Sequence, residues 1–236
     1  MGRSLAELAV RVLAGVVGSL TAARYGLGIV AWRTTNKLER PSFDVLQRIN
    51  GGKVEVRRYP SYIVAEATFR SPPTMKAATS NGFRQCARYI FGGNRARRFT
   101  TSDARPMAMT APVRVQMQAP SSTVSDKSAG APPPPSSVKV SFVMAGNETL
   151  RSLPVPKDAA VVLRRIPAHT AAFVRFSGPP PTDKRVARER AELITALGRA
   201  GVRPASDSET LVYGYHDPFI TPNLLRRNEV GVMVAE

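Results

Sequence analysis

Two stretches of this chain align without a gap, and that match constrains the fold more than any other feature. VEVRRYPSYIVAEATF (Val54 to Phe69) lies over VVLRRIPAHTAAFVRF (Val161 to Phe176), with Val54/Val161, Arg57/Arg164, Arg58/Arg165, Pro60/Pro167, Ala65/Ala172 and Phe69/Phe176 recurring in place. Each copy reads as two strands around a proline, then a proline break, an amphipathic helix and two further strands. In the first unit, Thr74 caps a helix ending near Phe91 at Gly92-Gly93-Asn94, with Met75, Ala78, Thr79, Gly82, Cys86 and Ile90 on its inward face. In the second, the helix runs from about Thr182 to Ala200, with Val186, Leu193, Ile194 and Leu197 inward. A unit of this length occurring twice is a duplicated domain and not a solenoid. The expected fold is α+β: a distorted antiparallel β-barrel from two pseudo-symmetric βαββ repeats with two flanking helices, plus an N-terminal helical extension.

The halves cover about residues 43–144 and 150–236 of a domain spanning 38–236. Residues 119–137, rich in Pro, Ser and Ala, read as a low-complexity insertion between two strands. Phe43 to Gln47 and Lys53 to Tyr59 are strands joined by the Asn50-Gly51-Gly52 turn. Residues 1–37 carry Arg3, Arg11, Arg24, Arg33 and Lys37 against one acid, Glu7, amid Ala, Leu, Val and Gly. That is the pattern of an organelle transit peptide or a membrane-surface helix. Val12 to Trp32 is also long enough to span a bilayer, although Arg24 makes that costly.

The chain's net charge of +17 favours anionic partners. Its basic residues are scattered, and no zinc spacing, RNP-like strand or basic heptad accompanies them, so nucleic acid is not the expected partner. The lone Cys86 forms no internal disulfide, and two histidines, His169 and His216, exclude a multi-histidine metal site. No Ser/His/Asp or Cys/His constellation and no paired carboxylates stand out, so no catalytic centre is expected.

YGYHDPFITPNLLRRNEVGVMV (Tyr213 to Val234) divides into a loop and a strand. Pro218 and Pro222 stiffen the loop, Phe219, Ile220, Leu224 and Leu225 make it apolar, and Arg226 and Arg227 edge it. Such a loop suits a flat, apolar, anionic ligand; it would equally serve as a cap on the core with solvated arginines. Arg84 and Arg88, one helical turn apart, can serve one anion or lie in solvent.

Taken in order, VEVRRYP, YIFGGN, MAMTAPV, FVM, LPVPKD, VVLRRIP, FVRFSG and YHDPFITPNLLRRNEV resemble the SOUL heme-binding proteins, over roughly Phe43 to Val234. The resemblance implies a distorted barrel of two βαββ halves and reversible, non-covalent binding of heme or another tetrapyrrole without catalysis. It places the site on a shallow apolar surface between the first helix and the loop before the last strand. On this chain the helix positions are Phe83, Arg84, Ala87 and Arg88, and the loop positions are His216, Phe219, Leu224 and Arg226. Ala87 is small for a porphyrin contact, and His216 stands where the family has a different polar residue. Its imidazole could coordinate iron. His169 resembles no family ligand. The functional expectation is a tetrapyrrole carrier or buffer in a chloroplast or mitochondrion, with a cytoplasmic setting as the alternative. The competing expectation is a peripheral subunit of a membrane-bound organellar complex, docked by this fold and tethered by residues 1–37.

Overall fold

The structure, a computed structural model, describes residues 24–96, 104–119, 134–205 and 209–235. A helix over residues 24–36 (α1) precedes the sheet. Strands β1 (Asp44–Ile49), β2 (Val54–Tyr59) and β3 (Tyr62–Arg70) lead to helix α2 (Met75–Ile90), followed by β4 (Asn94–Arg95), β5 (Val113–Gln118) and β6 (Ser137–Val143). The chain continues through β7 (Val155–Pro156), β8 (Val161–Ile166), β9 (His169–Phe176), α3 (Asp183–Arg199), β10 (Glu209–Gly214) and β11 (Asn228–Met233). Thr74 and Thr182 cap the two long helices, accepting from the backbone N–H of Ala77 (3.1 Å) and Arg185 (3.3 Å). The β1–β2 turn needs positive φ at Asn50, Gly51 and Gly52, which explains its composition.

Nine strands form one antiparallel sheet in the order β1-β2-β9-β11-β10-β5-β6-β3-β8, while β4 and β7 pair separately. Apart from β1, the strands whose sequences align, β2 with β8 and β3 with β9, take matching places on either side of the central β10–β5 pair. The registers follow the same rule. Val54 faces Val174 on β2–β9, and the positions aligned with them, Val161 and Ala67, face each other on β8–β3.

The expected barrel does not close. The sheet ends at β1 and β8, with no ladder between them. The chain instead crosses between the two end regions through the corners at Pro60 and Pro167, whose missing N–H cannot extend a ladder. The edge of β2 that closure would need is taken by β1.

One face of the sheet is an apolar layer under the helices. Val54, Val56, Val140, Val174, Val230 and Val232 meet Met75 and Ala78 of α2 and Val186, Leu193 and Leu197 of α3. Cys86 is fully buried here, its Sγ directed at the carbonyls of Ala65 (3.4 Å) and Val140 (3.6 Å). Burial pushes the thiol up to about 12.

The opposite face is not solvated, although the alternation of β11 reads that way. Tyr59, Phe173, Leu211, Tyr213 and Tyr215 are buried on it, covered by Leu38, Phe43 and Tyr62. A polar row crosses the same face: Glu229 opposite Tyr213, Tyr213 opposite Arg114, Arg114 opposite Ser141, and Ser141 opposite Glu66. The segment after α1 fastens this cover. Glu39 bridges to Thr110, its carbonyl accepts from the N–H of Ala111 (2.9 Å), and Phe43 lies over the Arg57 guanidinium (4.6 Å).

Of the N-terminal segment expected at 1–37, residues 24–36 form α1 and 1–23 lie outside the described residues. Of the insertion expected at 119–137, residues 120–133 lie outside them, and Ser137 already opens β6. No helix among the described residues is long and apolar enough to cross a membrane.

Gly82 sets how close α2 comes to the sheet, since a Cβ there would fall 2.5 Å from Val140 Cβ. Gly82→Ala should gain about 1 kcal/mol in helix propensity and lose more to overpacking, about 1–3 kcal/mol. The expected net destabilisation is a lower midpoint in urea unfolding with an unchanged slope.

Candidate functional site

Alternation along β2 and β11 sends Arg57 and Glu229 to the buried face, and their strands, both adjacent to β9, bring them together. The Arg57 guanidinium donates twice to the Glu229 carboxylate, Nη1 to Oε2 and Nη2 to Oε1, each at 2.8 Å. Tyr215 Oη donates to Oε2 (2.7 Å), and Arg227 Nη2 donates to Oε1 (2.6 Å). Arg57 also lies 5.1 Å from the Phe173 ring centre and donates from Nε to Glu55. Burial pushes the Glu229 carboxyl up, but hydrogen bonding and charge from Arg57 and Arg227 outweigh it and hold the group below the usual carboxylate range. A second carboxylate, Glu66, accepts from Arg164 (3.0 Å) and from Ser141 (3.2 Å), with Arg114 Nη1 at 4.0 Å. These groups form a structural interior, in which Arg114 leaves Nε and Nη1 without a hydrogen-bond partner.

The residues named from the sequence lie outside that interior. On α2, Phe83 is exposed and meets Phe142 edge-on at 5.2 Å, Ala87 is half-buried, and Arg84 and Arg88 are exposed. Arg84 is held along its helix by hydrogen bonds to Ser80 O and Asn81 Oδ1. In the loop, Phe219 and Leu224 are 82% and 87% exposed, values that leave nearly their whole surface for a ligand. Asp217 Oδ1 accepts from the N–H groups of Phe219 (2.7 Å) and Ile220 (2.8 Å), fixing the turn that presents them.

The helix set and the loop set do not touch through any hydrogen bond, ion pair or ring contact found among the described residues. They share an end of the sheet. Phe83 rests on Phe142, Phe142 faces Val113, and Val113 faces Gly214 at the root of the loop. Strands β6 and β10, which carry Phe142 and the root of the loop, are two ladder spacings apart, roughly 10 Å.

Two loop residues are placed otherwise than the resemblance implied. Arg226 is buried, and its Nε donates to Thr221 O (2.7 Å), so its guanidinium braces the loop from within. His216 Nδ1 accepts from the backbone N–H of Arg227 (3.0 Å). The neutral ring must then carry its proton on Nε2, which has no hydrogen-bond partner. Both nitrogens are therefore unsuited to iron: one lone pair is engaged and the other position holds hydrogen. Burial and the charges of Arg40, Arg227 and Arg226 lower its pKa to about 4. His169, also lowered by burial, packs its ring against Tyr59 in the interior. Among the described residues no cluster of His, Cys, Asp and Glu could hold a metal ion.

Sequence reasoning missed two contributors. Glu229 occupies a position of β11 that alternation assigns to solvent; only the second covered face makes it a buried partner of Arg57. Residue Gly28 of α1 packs directly on the loop, where a Cβ would lie 2.7 Å from Pro222 Cδ and 2.8 Å from Ile220 O.

The profile of the SOUL heme-binding protein family matches residues 38–233, most of the chain, and the chain belongs to that family. Among solved structures, the C-terminal domain of EcmrR is similar at 12% identity and a TM-score of 0.52, over 78% of this chain and 97% of that one. An uncharacterized conserved protein from Listeria innocua is similar at 12% identity and a TM-score of 0.52, over 77% of this chain and 92% of that one. At these identities the likeness is one of fold. Comparison with curated proteins gives no match.

Truncating one partner of the Arg57–Glu229 pair leaves a buried charge alone, so Glu229→Gln should cost about 3–5 kcal/mol in chemical denaturation. The same carboxylate sets an acid limb. Its folded pKa is depressed, so its contribution is whole above the unfolded glutamate value of about 4.3 and declines as pH falls through the folded value. Glu229→Gln should flatten that limb. For His216, an NMR titration of the ring protons should show a neutral imidazole throughout the physiological range, with its midpoint at about 4.

Proposed function

We propose that this SOUL-family protein binds heme or a related tetrapyrrole reversibly and without catalysis, acting as a carrier or buffer in an organelle. The supporting observation is that Phe83, Phe219, Leu224, Arg84 and Arg88 are all exposed in a chain of the heme-binding family. Flat apolar rings suit a macrocycle's faces, and guanidinium forks suit its propionates. Half-buried Ala87 leaves room between the two walls. Arg226 belongs to the scaffold of this surface and not to its contact set. His216 also belongs to that scaffold, with Nδ1 held by Arg227 N–H and Nε2 buried, so iron gains no axial ligand from it. Heme brings its own iron chemistry when bound; the chain's part is to hold its faces and carboxylates. The basic, acid-poor N-terminal segment supports the organellar setting.

Titration of the full chain with hemin should give a saturable Soret change. The double variant Arg84→Glu/Arg88→Glu should weaken it roughly tenfold or more, the scale of one or two lost charge-assisted hydrogen bonds. His216→Ala should leave the visible bands in place. A Soret change that never saturates, or one insensitive to both arginines, would overturn the proposal.

A further inference from the structure

We propose that α1 and the 217–226 loop form one composite surface that docks on an anionic lipid bilayer. Twelve large apolar side chains are exposed among the described residues, and eight of them sit on these two elements. On α1 they include Leu27 (67% exposed) and Val30 (59%), and on the loop Phe219 and Leu224. A helix apolar on its protein face and on its outer face has more to bury than its own domain supplies. Gly28, Ala31, Trp32 and Thr35 are the buried and half-buried side, so the outward residues remain on the other side of α1.

The two elements are held as one body. The close approach at Gly28 seats α1 on Pro222 and the Ile220 carbonyl. The loop is braced by Asp217 on the N–H groups of Phe219 and Ile220, by Arg226 on Thr221 O, and by Gly178 N–H on Asn223 O (3.0 Å). Its apolar side chains are thus presented outward with little conformational freedom left to lose on binding.

Charge decides the occupant. Between residues 24 and 38 the chain carries Arg24, Arg33 and Lys37, all exposed, and no acid. The loop's one acid, Asp217, turns Oδ1 onto its own backbone and lies beside the Arg226 cation. Apolar side chains bordered by unopposed cations match the boundary between acyl chains and anionic headgroups, where long basic side chains reach the phosphates while their stems stay in apolar contact. Residues 24–36 of α1, at 1.5 Å per residue, extend about 20 Å.

This surface shares Phe219 and Leu224 with the proposed tetrapyrrole contacts, and residues on α1 separate the two. The test is co-sedimentation of the full chain with phosphatidylcholine vesicles, with and without one quarter phosphatidylglycerol, beside the hemin titration of the same samples. The expected result is binding that requires phosphatidylglycerol, falls with added salt, and drops about tenfold or more in Leu27→Glu/Val30→Glu. Hemin affinity and unfolding midpoint should be unchanged in that variant. Gly28→Leu, which unseats α1 from the loop, should weaken vesicle binding while both apolar sets remain in the chain. Equal binding to neutral vesicles, or undiminished binding by Leu27→Glu/Val30→Glu, would overturn the proposal. So would a chain that ignores vesicles and instead forms a dimer that the same variant dissolves in light scattering. A protein that binds vesicles but not hemin would sink the tetrapyrrole reading and leave this one standing.

Discussion

The bidentate ion pair between Arg57 and Glu229 is the interaction on which the second face of the sheet depends. Both side chains are withdrawn from water, a costly state that only mutual pairing and further hydrogen bonds relieve. Those further partners come from separate places: Tyr215 at the end of β10, Arg227 at the start of β11, and the rings of Phe43 and Phe173 on either side of the guanidinium. Satisfying one buried charge therefore fixes the ends of β10 and β11 and the chain that enters β1. The loop between β10 and β11 inherits its rigidity from this anchoring. Its exposed apolar residues can be held outward because its roots are held inward.

The fold was legible wherever periodicity and punctuation agreed. The capped helices and the glycine turn after β1 follow from local chemistry that tertiary packing did not override. The barrel was not legible in its closure, because whether two sheet ends pair depends on what else occupies their edges. Here β1 takes one edge and proline corners carry the crossings. Glu229 could not be picked out for a related reason. Alternation separates two faces but does not say that both are covered, and the cover here is the 38–43 segment, distant in sequence from the strand it shields.

The candidate site was partly legible. A stiff apolar loop is visible in FITPNLL, and the structure does leave Phe219 and Leu224 nearly bare. Its arginines were not readable as a pair, since Arg226 and Arg227 turn to different internal partners, Thr221 O and Glu229. His216 shows the same limit. An imidazole in a loop looks available until one backbone N–H, that of Arg227, claims a ring nitrogen. Nothing in the residue types around it announces that claim. The seat of α1 on the loop was not legible, because a glycine contact leaves no trace in hydropathy.

The single cysteine gives this molecule an internal clock. Cys86 lies under α2, shut between two strand carbonyls, and its thiol is held far from ionisation. A water-borne alkylating reagent can reach it only when α2 lifts from the sheet. The rate at which one sulfur acquires mass thus counts openings of the helix layer, separately from whatever happens on the polar face behind it.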